Sequence, residues 1–284
     1  MRFSEDRIEK LACSDGIERN IHIWEPEKPK VLFLAIHGGM AHGGDYITAA
    51  QYFKKQGFAT LAPDLHGHDE KEKIYIPGFD VFLDDLELLI AWVKKNYPKL
   101  PLFIVGHSTG ALIATHFGLK RLKSDPQIKG FIFSSPYYVN AIKTPPVLLK
   151  VVGLLSAIVP KMAVPLEDIK PFLTHDKRIA ERHLEDEKDH LRASQISARF
   201  ANETLKAQLY IPGAISEWSH PLYCVVAGDD RIANSKLSQA YLGKIDSSLL
   251  TLSFFPENYH ENFNELNREE IYGEIVKWVE QRIA

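Results

Sequence analysis

Cysteine is scarce in this chain: Cys13 and Cys224 are the only two in 284 residues, too few for a disulfide framework. Cys224 lies in an apolar run and reads as a small buried hydrophobe. No apolar stretch approaches the roughly 18–20 residues that a bilayer-spanning helix needs. The opening residues, Met1-Arg2-Phe3-Ser4-Glu5-Asp6-Arg7, lack the apolar centre and cleavage site of a secretory leader. Together these absences set the expectation of a cytoplasmic protein. Charge of one sign is not in excess either. A formal net charge of -3 offers no electrostatic reason to expect nucleic acid as a partner. What is present is ordinary globular composition, 45% hydrophobic and 25% charged. The length suits one large α/β domain with an insertion, or two modest domains.

Apolar runs alternate with amphipathic stretches along most of the chain. Strands are expected around residues 7–13 and 20–24, with Ser14-Asp15-Gly16 as the turn between them. Val31-Leu32-Phe33-Leu34-Ala35-Ile36 is apolar throughout, as in a strand buried on both faces of a mostly parallel sheet. A helix from Tyr46 to Gln56 and a strand over residues 58–62 follow. The segment from Phe79 to Tyr97 places Phe82, Leu86, Leu89 and Val93 at spacings of three and four, predicting an amphipathic helix with Asp84, Asp85 and Glu87 turned outward. Later strands are expected at residues 102–105, 131–133, 222–227 and 249–255. Helices are expected after Thr109, around residues 235–245 and over residues 269–283. This alternation predicts a mostly parallel central sheet with helices on both sides.

The alternation breaks between Phe133 and Leu222. No clear strand is read there, and Pro145, Pro146, Pro160, Pro165 and Pro171 divide the stretch into short pieces. The piece from Val147 to Val159 is apolar nearly all round, with Lys150 its only charge. At about 1.5 Å per residue it spans only about 20 Å, too short to cross a membrane. The piece from Asp176 to Arg192 is dominated by charges of both signs and reads as a solvated helix. The apolar piece is expected to belong to a helical cap over the site, touching an acyl chain or, transiently, a membrane or micelle surface. The plainer alternative packs it against the sheet domain. Domain bounds follow: residues 1–136 and 214–284 as the core, and residues 137–213 as the cap inserted between two late strands.

Chemistry concentrates at the carboxyl ends of the expected strands, where open parallel sheets bind ligands. Gly106-His107-Ser108-Thr109-Gly110 sits between a buried strand and a helix, the context that gives G-x-S-x-G meaning as a nucleophile elbow. Glycines at both ends suit so sharp a turn, since a β-carbon there would collide with neighbouring backbone. His37-Gly38-Gly39, Gly228-Asp229-Asp230 and Pro256-Glu257-Asn258-Tyr259-His260 end three other strands. A serine hydroxyl needs a base, and a histidine base needs a carboxylate to fix its tautomer. Ser108, then Asp229 or Asp230, then His260 gives the chain order Ser…Asp…His of α/β-hydrolases.

The motifs resemble those of the monoacylglycerol lipase and lysophospholipase group of α/β-hydrolases. His37-Gly38-Gly39-Met40-Ala41-His42-Gly43-Gly44-Asp45-Tyr46 is similar to its H-G-x-x-x-H-x-x-x-Y segment. Asp64-Leu65-His66-Gly67-His68-Asp69 resembles its D-x-R-G-H-G segment, departing from it at His66 and Asp69. Gly106–Gly110 matches its G-H-S-x-G elbow, Phe133-Ser134-Ser135-Pro136 the end of its next strand, and the stretches around Asp230 and His260 its acid and histidine loops. The resemblance implies an α/β-hydrolase fold and a serine carboxylic-ester hydrolase acting on monoacyl lipids, with no cofactor. It implies Ser108 as nucleophile, His260 as base and then acid, and backbone N–H groups of Gly39 and Thr109 as the oxyanion hole. Its register, an acid followed by a short apolar pair, favours Asp230 over Asp229.

Other chemistries are weaker. His66, His68 and Asp69 resemble part of a dinuclear metal motif, but Asp69 comes one place too early and no histidine follows, so no metal is expected. His42 and His107 read as packed or hydrogen-bonded side chains. A related group of cap-containing aminopeptidases uses the same triad and acidic cap residues to hold a free amine. Glu181, Glu185 or Asp186 stand where such a role would fall. A catalytically silent lipid-binding homologue is the non-enzymatic alternative. Oligomeric state is not legible.

Overall fold

The computed structural model describes residues 2–68, 72–143, 145–166 and 168–284, and of Pro146 only the backbone. The long apolar runs form the central strands of one eight-stranded sheet. Its strands are β1 (Arg7–Ala12), β2 (Glu18–Trp24), β3 (Val31–Ile36), β4 (Phe58–Pro63), β6 (Leu102–His107), β7 (Ile128–Ser134), β10 (Leu222–Ala227) and β11 (Leu250–Phe255). They lie in the order β1-β2-β4-β3-β6-β7-β10-β11. The β1–β2 and β2–β4 pairs are antiparallel and every later pair is parallel.

The unbroken hydrophobicity of β3 has a direct cause. Side chains alternate across a strand, so Leu32, Leu34 and Ile36 join one core while Val31, Phe33 and Ala35 join the other. The first core is closed by α2 (Asp80–Asn96) and α3 (Thr109–Lys120), the second by α1 (Ile47–Lys55) and α8 (Arg268–Ile283). A helix α7 (Ser235–Leu242) links β10 and β11. The expected helix from Phe79 to Tyr97 is α2, and Phe82, Leu86, Leu89 and Val93 are buried as the spacing requires.

One outward residue of that helix is misplaced by the pattern. Asp85 is buried, because its carboxylate accepts the Ser14 amide at 2.7 Å and lies 3.6 Å from the His66 ring. A second correction concerns the long stretch after β7, which does carry strands. β8 (Ala163–Val164) and β9 (Gln195–Ser197) pair with each other, and β9 also pairs with β5 (Lys73–Ile74) in a separate three-stranded sheet. Strands of two and three residues are too short to show a period.

The described residues of this stretch also form three α-helices: α4 (Pro146–Ile158), α5 (Lys177–Lys188) and α6 (Ala198–Ala214). The apolar α4 packs on α6, where Arg199 donates to the Ser156 carbonyl at 2.8 Å. Its opposite face is open, with Val147 73%, Leu154 60% and Ile158 69% exposed. Helix α5 is not simply solvated, as its charges suggested. Ile179, His183 and Asp186, at spacings of four and three, form a buried face.

Candidate active site

The elbow is built by close packing between two elements. β6 ends at His107, α3 begins at Thr109, and Ser108 between them holds φ +53°. This is left-handed backbone that a residue with a β-carbon adopts only under strain. The Ser108 amide donates to the Ser134 carbonyl at 2.9 Å, anchoring the turn to β7. At Gly110 a β-carbon would stand 2.1 Å from the Ile36 carbonyl oxygen, and at Gly106 one would stand 2.7 Å from Ala111. The two glycines of the motif therefore allow α3 to begin against the end of β3.

Two loops bring their side chains to Ser108. His260 Nε2 is 2.7 Å from Ser108 Oγ, and His260 Nδ1 is 2.7 Å from Asp230 Oδ2. All three side chains are shielded from solvent. With Nδ1–H donating to Asp230, Nε2 is left with a lone pair facing the serine hydroxyl. The other Asp230 oxygen accepts the amides of Ile232 at 2.8 Å and Ala233 at 2.9 Å. Burial pushes the Asp230 carboxyl up, but His260 and these two amides draw it below its ordinary value. The neighbouring Asp229 turns outward to Arg231, 3.3 Å away. The acid and histidine loops are stitched together, since the Asp229 amide donates to the Asn258 carbonyl at 3.1 Å.

The segment after β3 closes the other side. His37 donates from Nδ1 to the Gly38 carbonyl at 2.7 Å and accepts the Leu65 amide on Nε2 at 3.0 Å. Both contacts require a neutral ring, and burial together with His68 pushes His37 down to about 3. Gly39 lies against the start of α3, where a β-carbon on it would come within 3.1 Å of Thr109 Oγ1. The Thr109 amide is in the first turn of α3, where no preceding turn supplies an acceptor. His107 packs its ring 4.9 Å from that of His260 and contacts Ser134 Oγ at 3.3 Å. Burial and then His260 push it down to about 4.

The possible metal ligands separate. His66 faces Asp15 and Asp85, whereas His68 contacts the His66 carbonyl and packs against His37. Asp69 lies outside the described residues. Among the described residues, His42, Asp45 and Asp186 bring ligand-type atoms within 4.8 Å of one another. The two carboxylates of that group already pair with arginines, Asp45 with Arg192 at 2.5 Å and Asp186 with Arg2 at 2.7 Å.

Sequence reading missed how the stretch after β7 meets the histidine loop. The Glu261 amide donates to the Leu173 carbonyl at 2.8 Å, Thr174 donates to the Asn264 carbonyl at 2.8 Å, and His175 stacks on Tyr259 at 3.7 Å. Glu265 accepts the amides of Tyr259 at 3.0 Å and His175 at 3.2 Å. A buried guanidinium, Arg192, lies among Asp45, His183 and Glu261, the residue that follows His260 in the chain. Only the spacing of Ile179, His183 and Asp186 could have signalled a buried face there.

Residues 27–267 match the family described as serine aminopeptidase, S33. An abhydrolase domain-containing protein of Dictyostelium discoideum is 29% identical over 280 residues, covering 97% of this chain, which spans only 29% of that longer protein. Monoglyceride lipase of Rattus norvegicus is 27% identical over 280 residues, covering 96% of this chain and 90% of that one. A monoglyceride lipase of Saccharomyces cerevisiae, solved with a substrate analog, superposes with a TM-score of 0.80 at 18% identity, covering 98% of this chain and 95% of that one. The fold is that of the α/β-hydrolases, and the chain belongs to the serine aminopeptidase S33 family.

Proposed function

We propose that this protein is a serine carboxylic-ester hydrolase that cleaves monoacyl lipids through an acyl-enzyme on Ser108. The observation that carries the reading is the relay of two 2.7 Å contacts from Asp230 through His260 to Ser108 on a strained turn. Ser108 Oγ attacks the ester carbonyl carbon while its proton passes to His260 Nε2. The carbonyl oxygen becomes an oxyanion, met by the amides of Gly39 and Thr109, a type of contact worth roughly 3 kcal/mol per donor. Collapse of the intermediate breaks the bond to the alcohol, which takes the proton from His260. Water then repeats the sequence: it gives a proton to His260, attacks the acyl carbon, and releases the fatty acid and the free serine. Asp230 stays ionised throughout and stabilises the imidazolium.

Residues 137–213 serve in this reading as a cap, and the exposed apolar face of α4 meets acyl chains or a lipid surface. The kinship to monoglyceride lipases supports the substrate class. An amine-holding role for α5 has less support. Glu181 and Glu185 are exposed, and Asp186 is buried against Arg2 and His42.

A fluorophosphonate is expected to label Ser108, and Ser108→Ala to lower monoacylglycerol hydrolysis by about 10⁴-fold or more. Retained hydrolysis in that variant would overturn the mechanism. Faster turnover of proline-β-naphthylamide than of monoacylglycerol would overturn the substrate class.

A further inference from the structure

The buried polar cluster that includes Glu261, the residue after His260, is organised around one guanidinium. Arg192 follows α5 and is buried; its Nη1 donates to Asp45 Oδ2 at 2.5 Å, and its Nη2 lies 3.7 Å from Glu261 Oε1. Asp45 is in the segment that carries Gly39, and Glu261 directly follows His260. Glu261 also accepts from Asn264 Nδ2 at 2.7 Å.

Other charged and titratable groups around this bridge, Glu187 of α5 among them, come from five elements. From α5, His183 Nε2 is 3.5 Å from Glu261 and 3.8 Å from Asp45, Arg182 is 3.9 Å from Asp45, and Asp186 faces His42 at 3.4 Å. From the segment after β3, His42 is 3.5 Å from Asp45. Arg2, at the amino-terminal end, holds Asp186 at 2.7 Å. His107 at the end of β6 and Asp230 in the acid loop flank His260 itself. Several of these contacts are long, and both ring nitrogens of buried His183 make no hydrogen bond. The Arg192–Asp45 bond is the shortest of these contacts.

We infer that Arg192 is a positioning residue for catalysis: it ties the loop bearing Gly39 to the loop bearing His260 and balances the Glu261 charge beside that histidine. Without it, two carboxylates would face each other in a space that water screens poorly, and the loops that carry them would be pushed apart. Glu261 and His260 already act on a common neighbour. His107 is pushed down first by burial and then by His260, and Glu261 acts on it in the opposite sense. An unbalanced Glu261 would favour the imidazolium form of His260, the form that cannot accept the serine proton.

The inference rests on the Ser108–His260 mechanism, so labelling of Ser108 by a fluorophosphonate is followed in every variant. With a p-nitrophenyl ester as probe, Arg192→Met is expected to lower kcat about 10- to 100-fold with little change in KM. The acid limb of its kcat/KM profile should move up by about half a pH unit to one unit. Arg192→Lys keeps the charge without the planar fork, so it should leave the limb in place and recover part of kcat. Glu261→Gln should move the limb down, and Arg192→Met with Glu261→Gln should return it toward the parent position. If Arg192→Met does not fold, the opposed behaviour of Arg192→Lys and Glu261→Gln carries the test. A folded Arg192→Met protein with parental kcat overturns the inference, as does a loss of kcat with an unmoved limb. Either result alongside parental labelling of Ser108 leaves the mechanism itself standing, whereas hydrolysis by Ser108→Ala removes the mechanism beneath the inference.

Discussion

Helices α4 and α5 come from the same stretch between β7 and β10, and each is placed against its composition. α4 reads PVLLKVVGLLSAI, with one charge in thirteen residues, yet its outer face is exposed. α5 reads KRIAERHLEDEK, with eight charged residues in twelve, yet Asp186 is fully buried and His183 nearly so. The difference lies in what each helix meets. α5 faces a cluster in which a buried charge finds a partner of opposite sign, and the chain before it is bonded to the histidine loop. α4 packs on α6, and much of its other face is exposed. An exposed apolar face of this extent marks contact with something apolar, which fits a role at the acyl chain or at a lipid surface. Composition told which residues need a partner; it did not tell which of them have one.

Cutting the link between the polar half and the histidine loop should have the largest effect on stability. Glu265 is buried and accepts three main-chain amides and the His175 ring. Glu265→Ala would orphan these donors, which costs about 3 kcal/mol, read as a lowered urea midpoint. Glu265→Gln keeps an acceptor and should lose less than half as much. If Glu265→Ala unfolded at the parental midpoint, the polar half would not be bolted to the histidine loop.

Acid should loosen the same half before it touches α4. Burial holds His183 below its ordinary value of 6.5, and His37 and His107 are pushed down to about 3 and about 4. Below pH 6.5 the unfolded chain then binds more protons than the folded one, so stability falls as pH drops toward those values. Glu261 adds a later loss. Burial raises it, but His183 and Arg192 hold it below its ordinary value, so its contribution goes as pH falls through the carboxylate range. By the slope of 1.36 kcal/mol per unit, His37 and His107 each account for about 2 kcal/mol between pH 6.5 and about pH 5. Hydrogen exchange should therefore quicken in α5 and the histidine loop over that range while the amides of α4 keep their relative protection. Equal loosening of both helices would remove the distinction.

Legibility in the sequence followed the same division. β3, β4 and α2 could be read because a two-sided core forces an apolar run and a half-buried helix forces a period of 3.6. Ser108 and His260 could be read because each follows a strand end, and Asp230 could be told from Asp229 only by the register of the resembled family; the structure brings these three together while turning Asp229 away. Asp85, Asp186 and Glu261 could not be read as buried. Their burial depends on partners far away in sequence, Ser14, Arg2 and Arg192, and no local spacing encodes such a pairing. The segments β8 and β9 escaped for a related reason, since a strand of two or three residues is specified by its neighbour and not by its own pattern.

The smallest effect on stability should come from the outer face of α4, and it is also the most selective. Val147, Leu154 and Ile158 are more than half exposed, so replacing each with serine removes little buried surface and should shift stability by no more than about 0.5 kcal/mol per site. If that face meets the acyl chain or the lipid surface, the triple variant should raise KM for long-chain monoacylglycerol in micelles by roughly tenfold, equivalent to about 1.4 kcal/mol of lost apolar contact. Hydrolysis of a short p-nitrophenyl ester, which has no long acyl chain, should continue at the parental rate, because the contacts that join Ser108, His260 and Asp230 involve no residue of α4. A stability loss of several kcal/mol would mean that α4 is packed after all. An unchanged KM for the long-chain lipid would leave its exposed face without a role in catalysis.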